Sequence, residues 1–153
     1  MERLIEEAGL KYAVATAYEQ TFWGPNATLE HDLLLEDVDV SKYAGVLLPC
    51  MSAGVPGTIE ASSVEIVREA VAQGKPVAAQ HGQICTLARA GLLTGKRYAY
   101  VHPSFREGVY AGTGVVQDGL VLTSANCPDW ALRTGEPDGT VELTLRLIAA
   151  IVR

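Results

Sequence analysis

"GKPVAAQHGQICTLARAGLL", Gly74 to Leu93, decides how the rest of the chain is read. A short apolar run, Pro76 to Gln80, passes through Gln80-His81-Gly82-Gln83 into a segment of helical character, from about Gln83 to Ala90, that Gly91 stops. A strand that enters a helix through so tight a turn is where an α/β enzyme displays its nucleophile. The residue at this turn is a histidine, which brings a base rather than a thiol or hydroxyl.

The same alternation extends in both directions. Glu2 to Ala8 reads as a helix stopped by Gly9, followed by a strand in "LKYAVATA". Gly45 to Pro49 is apolar throughout, as suits a strand buried on both faces of a parallel sheet. A helix carrying Ile59, Val64, Ile66, Val67, Ala70 and Val71 at roughly helical spacing then runs to Gly74. Beyond the opening stretch, "YAYVH" reads as a further strand. "GVVQDGLVLTS" reads as a hairpin turning at Asp118-Gly119. "DGTVELTLRLIAAIVR" closes the chain as an amphipathic helix, with Asp138 or Thr140 as its cap. Strands alternating with helices predict a mainly parallel, flavodoxin-like sheet with helices on both faces, a three-layer α/β sandwich. In such a fold chemistry sits beyond the carboxyl ends of the strands, which selects the segments after Pro49, Gln80, His102 and Ser124.

A length of 153 residues predicts one domain, residues 1–153, with a substantial core. Hydrophobic residues at 48% and charged residues at 20% are those of a globular protein. A net charge of −6 without a Lys/Arg cluster argues against nucleic acid as a partner. The apolar runs are too short to span a bilayer, and "MERLIEEAGL" has no apolar signal core, so a cytoplasmic protein without a membrane partner is expected. The three cysteines, Cys50, Cys85 and Cys127, match neither a disulfide framework nor a CxxC metal pattern, which suits reduced thiols.

Four pieces, "DVDVSKYAGVLLP", "VREAVAQGKPVAA", "LARAGLLTGKR" and "GVVQDGLVLTS", resemble the ThiJ/PfpI family, of the DJ-1/PfpI superfamily and the class I glutamine-amidotransferase-like fold. They stand in the family's order and cover most of the chain from about residue 28 onward. The resemblance implies a homodimer that needs no cofactor and acts on a small molecule. Family activities include hydrolases, glyoxalase or deglycase enzymes, isonitrile hydratases and chaperones.

Three departures from the family pattern bear on chemistry. The strand–helix turn usually reads Ile-Cys-His-Gly, and a gap-free alignment puts His81 where the cysteine belongs. Sliding His-Gly onto His-Gly puts Gln80 there instead, at the cost of compensating gaps. The usual Pro-Gly-Gly loop, a source of oxyanion-hole amides, is here Pro49-Cys50-Met51. The family's first strand, which carries an acidic residue against the cysteine, has no counterpart ahead of the first helix. It would lie between "KYAVATA" and "GVLLP", so it is expected from upstream of Met1 or from another segment or subunit.

The resemblance gathers Cys50, His81, His102 and Cys127 about one pocket. The enzymatic expectation is a relocated dyad, with Cys50 as thiolate nucleophile, His81 as its base and Cys127 as the alternative nucleophile. The amides of Cys50 or Met51, Gly82 and Gln83 are the expected oxyanion or ligand donors. The substrate class is a small electrophile (a carbonyl, nitrile-like or amide compound) that is hydrated, hydrolysed or turned over in glyoxalase fashion. Two rival readings use the same residues: a non-catalytic ligand-binding or interaction protein, and a zinc site built from two cysteines and two histidines.

Overall fold

The computed structural model describes residues 1–19, 21–23, 28–50 and 59–153. Helix α1 (Glu2–Glu7) ends as expected, with Gly9 at φ 75°. The strand in "LKYAVATA" is shorter than its sequence suggests: β1 is Ala15–Thr16 alone. An antiparallel pair, β2 (Thr21–Trp23) and β3 (Thr28–Glu30), follows, and β4 (Leu33–Leu34) returns parallel to β1. Two 3-10 turns, Leu35–Asp37 and Val40–Lys42, lead into β5 (Val46–Leu48). Helix α2 (Ala61–Ala72), strand β6 (Val77–Gln80), a 3-10 turn at His81–Gln83 and helix α3 (Ile84–Arg89) form the central unit. Then come β7 (Arg97–Tyr98) and β8 (Val109–Tyr110), which pair in parallel, and the hairpin of β9 (Val115–Asp118) and β10 (Val121–Ser124). Helices α4 (Pro128–Thr134) and α5 (Thr140–Ile151) complete the fold.

The main sheet has the order β5-β6-β10-β9, parallel except for the hairpin edge. Successive strand side chains point to opposite faces, and this sheet buries both. Val77, Ala79 and Val121 face one way, against Val64, Val67 and Ala70 of α2 and Ile84 and Leu87 of α3. Ala78 and Leu122 face the other way, against Leu143 and Leu147 of α5. The result is the expected three-layer α/β sandwich. Among the described residues β1 and β4 form a sheet of their own, so the break in strand order falls between β1 and β5.

Two local expectations change. "YAYVH" contributes a strand only at its start, because beyond Tyr98 the backbone finds other partners: the Ala99 amide donates to Thr123 Oγ1 at 2.8 Å and the Tyr100 amide to Gly112 O at 3.0 Å. The hairpin turns where expected, but Asp118 is still paired with Val121 and the two-residue loop is Gly119-Leu120. Gly119 takes the positive φ, 63°, that a tight hairpin requires. Asp118 also ties the hairpin to β7, accepting from the Arg97 amide at 2.9 Å and from Lys96 Nζ at 3.3 Å. These bonds hold its carboxyl below the usual carboxylate range.

Candidate functional site at the strand–helix elbow

Because β5, β6 and β10 run parallel, their carboxyl ends lie on one edge of the sheet. Leu48 is level with Ala79, and Ser124 with Gln80, so Cys50, His81 and the Ala125-Asn126-Cys127 segment all emerge there. His81 forms the elbow. Its φ is 48°, and no other non-glycine residue among those described has a positive φ. A β-carbon in that region costs about 1–2 kcal/mol, a strain typical of residues held for function. The imidazole is then fixed from behind: Nδ1 lies 2.8 Å from Ala125 O. A carbonyl only accepts, so Nδ1 carries the proton and Nε2 of the neutral ring keeps its lone pair.

An aromatic row flanks this imidazole. The Trp130 ring centroid is 5.0 Å from that of His81, and the Tyr100 centroid is 6.3 Å from it. Tyr100 packs edge-on to His102 at 5.5 Å. His102 is exposed and its Nδ1 bonds Ser104 Oγ, so it stands at the end of this row. The Tyr100 hydroxyl lies 3.8 Å from Cys85 Sγ, and burial together with that thiol pushes its pKa up to about 12.

Cys127 lies near enough to Cys50 to oppose ionisation of its thiol. Burial first, then Cys127, Asp129 and Asp138, push the Cys50 thiol up to about 12. All these influences oppose ionisation, so at neutral pH Cys50 is a protonated thiol.

Gln80, the last residue of β6, holds the surrounding segments together. It is 2% exposed, and its Nε2 donates to Asn126 O at 3.0 Å and Thr140 Oγ1 at 2.8 Å. Its Oε1 accepts the Cys50 amide at a long 3.5 Å. One side chain thus joins the loop after β5, the loop after β10 and the start of α5. The amide of Gly139, just before α5, donates to the same Asn126 carbonyl at 3.1 Å, and a Cβ on Gly139 would overlap the Ser124 hydroxyl. The sequence signal was a polar residue ending the otherwise apolar run "PVAAQ". Helix α4 also went unread, although Pro128 at its first turn and Gly135 at φ 73° after its last are the usual start and stop.

Of the expected site residues, Cys50 and Cys127 emerge at the same edge of the sheet, with the Cys50 amide on Gln80 Oε1, and His81 Nδ1 lies against the neighbouring Ala125 carbonyl. His102 is reached only through Tyr100. Gly82 is exposed at the elbow, and Gln83 Oε1 accepts from Thr86 Oγ1 at 3.1 Å. Met51 lies outside the described residues. Among the described residues no three His, Cys, Asp or Glu side chains gather as metal ligands, which leaves the zinc reading without a site.

The sequence model of the DJ-1/PfpI family matches residues 2–134. The chain belongs to the DJ-1/PfpI family. It is similar to Protein DJ-1 homolog D of Arabidopsis thaliana, at 36% identity over 67% of this chain and 28% of that protein. It therefore spans little more than a quarter of that relative's length. Its fold resembles a ThiJ/PfpI domain protein from Brachyspira murdochii, with a TM-score of 0.78, 15% identity and coverage of 98% of this chain and 84% of that one. It also resembles a two-domain Anabaena variabilis protein with DJ-1/ThiJ/PfpI-like and ferritin-like domains (TM-score 0.73, 24% identity, 94% of this chain and 42% of that one). At its strand–helix elbow this DJ-1/PfpI family chain carries a histidine at positive φ.

Proposed function

We propose that this chain is a DJ-1/PfpI-type enzyme that hydrates or hydrolyses a small electrophile, with His81 as general base. The observation that carries the reading is the strained elbow position of His81 together with its Nδ1 contact to Ala125 O. Strain at a single non-glycine residue is retained where the displayed side chain is used. The Ala125 carbonyl presents Nε2 as the basic nitrogen and would stabilise the imidazolium that forms when Nε2 takes a proton.

In this mechanism Nε2 removes a proton from water as its oxygen attacks the electrophilic carbon. The amides of Gly82 and Gln83 are the donors for the developing negative charge. Imidazolium then returns the proton to the product or leaving group. Cys50, held protonated, lines the site and leaves the nucleophile's role to water. The reading extends to a cytoplasmic homodimer with a small-molecule substrate. Among the described residues no helix is long and apolar enough to cross a membrane.

The test is turnover of a panel of small carbonyl, nitrile-type and amide compounds. Asn tolerates positive φ, so His81→Asn keeps the elbow while removing the base. Loss of about 10²–10⁴-fold in turnover with His81→Asn, and near-normal turnover with Cys50→Ser, is the expected outcome. The reverse pattern would establish the thiol mechanism instead. Saturable binding without turnover across the panel would make the protein a binding module.

A further inference from the structure

Helix α5 carries two apolar faces. Leu143 and Leu147, with Ile151, close the core against Ala78 and Leu122. A second set, Val141, Leu145, Ile148 and Val152, lies away from that face. Val141 is 55% exposed, Leu145 49% and Val152 63%, while Ile148 is half-buried. The Val152 amide still donates to Ile148 O at 3.0 Å, so the helical path reaches the end of the set. At 3.6 residues per turn the four positions fall within about 60° of arc, and they form one stripe along the helix. Helix α1 also touches α5 and leaves this stripe open. Scattered exposed apolar residues are ordinary, but a continuous line of them on one helix marks an interaction surface.

The spacing of the stripe points to what covers it. Its steps are four, three and four residues, the rhythm of a coiled-coil seam, and they read the same in either direction. We infer that the stripe packs on the same stripe of a second copy of this chain, the two α5 helices forming an antiparallel, two-fold pair. Val141 then meets the partner's Val152, and Leu145 meets the partner's Ile148, at both ends of the seam alike. The charges agree with this direction. Arg153 comes level with the partner's Thr140, between the partner's Asp138 and the partner's Glu142, on the same flank of the seam. All three charged residues are exposed. A parallel pair would instead set Arg153 beside Arg153 and Glu142 beside Glu142. Arg146, near the two-fold axis, is already paired with Glu142 of its own helix.

The inference gives the expected homodimer a surface and is independent of the chemistry at His81. Helix α5 has 12 residues, so the seam is about 18 Å long. That is short of a standard interface, and the association is weak, reversible and concentration-dependent.

The experiment is sedimentation velocity on the full chain from low micromolar to near-millimolar concentration. The unmodified protein is expected to pass from monomer to dimer across this range. Leu145→Glu should weaken the association by about tenfold or more, with an unchanged circular dichroism spectrum. Leu132→Glu, on α4 and 86% exposed, should dimerise like the unmodified protein. A second measurement fixes direction and does not depend on the Leu145→Glu variant folding. Val141→Cys protein is mixed with Val152→Cys protein, oxidised mildly and mapped by mass spectrometry. The expected product joins position 141 of one copy to position 152 of the other. Monomer at every concentration overturns the inference together with the homodimer expectation. A dimer that survives Leu145→Glu overturns the inference alone, as does a link from position 141 to position 141 in preference to position 152.

Discussion

His81 Nδ1 sits 2.8 Å from the carbonyl oxygen of Ala125, a residue in the loop that leaves the neighbouring strand β10. The contact fixes both the tautomer and the direction of the ring, while the backbone beneath it is held at φ 48°. Elbow strain and imidazole function can be separated by substitution. His81→Gly and His81→Ala remove the same ring and leave the same carbonyl without a partner, but only alanine keeps a β-carbon at positive φ. The glycine variant should be more stable than the alanine variant by about 1–2 kcal/mol. Urea denaturation of the two side by side checks this, and equal stabilities would mean that the elbow relaxes.

Gln80 bridges three segments from a buried position. Gln80→Leu fills a similar volume while removing three bonds at once, to the Cys50 amide, the Asn126 carbonyl and the Thr140 hydroxyl. A stability loss of about 2–3 kcal/mol is expected, read as a lowered urea midpoint. Cys50 should also label faster in the variant, since its loop loses an anchor. A midpoint within error of the unmodified protein would show that solvent replaces these bonds.

Cys50 is expected to alkylate slowly at neutral pH. Its thiol is pushed up to about 12 by burial and by Cys127, Asp129 and Asp138, so its thiolate fraction is far below that of a cysteine with an ordinary pKa of about 8.5. Peptide-mapped iodoacetamide labelling should give a rate well under that of an unstructured cysteine peptide and still climbing above about pH 10. Rapid labelling at neutral pH would restore Cys50 as a candidate nucleophile.

Alkaline pH should weaken the fold through two groups. Cys50 and Tyr100 both have folded-state pKa values raised to about 12, against about 8.5 and about 10 when unfolded. The unfolded chain therefore releases these protons first as pH rises. Their contribution is complete below the unfolded values and is lost between those values and about pH 12. Urea midpoints should fall across this window, and Tyr100→Phe should flatten the part above about pH 10. A midpoint independent of pH up to about 11 would contradict both assignments.

What the sequence revealed was largely local in origin. The run Val77–Gln80, its passage into a helix and the Gly119 turn each depend on neighbouring residues, and periodicity or turn chemistry is enough to read them. The same local rules would have revealed α4, bracketed by Pro128 and Gly135. The Gln80 bridge is of another kind. It links the Cys50 amide to the Asn126 carbonyl and the Thr140 hydroxyl, and no periodic pattern encodes which strand ends become neighbours. Both cysteines were recognised as site candidates, but the expected partner of Cys50 was an imidazole. β1 was overestimated because the apolar run of "LKYAVATA" is longer than the two-residue pairing with β4 that it supports.

The proposed chemistry turns on which nitrogen of His81 is presented to the site. Resolving the ¹⁵N signals of its imidazole at about pH 8.5, above the ordinary histidine pKa, answers this without a substrate. The expected spectrum has a pyrrole-type, protonated Nδ1 and a pyridine-type Nε2 bearing the lone pair. A reversed pattern, with the proton on Nε2, would mean that the Ala125 contact does not orient the ring and that His81 is not poised as the base.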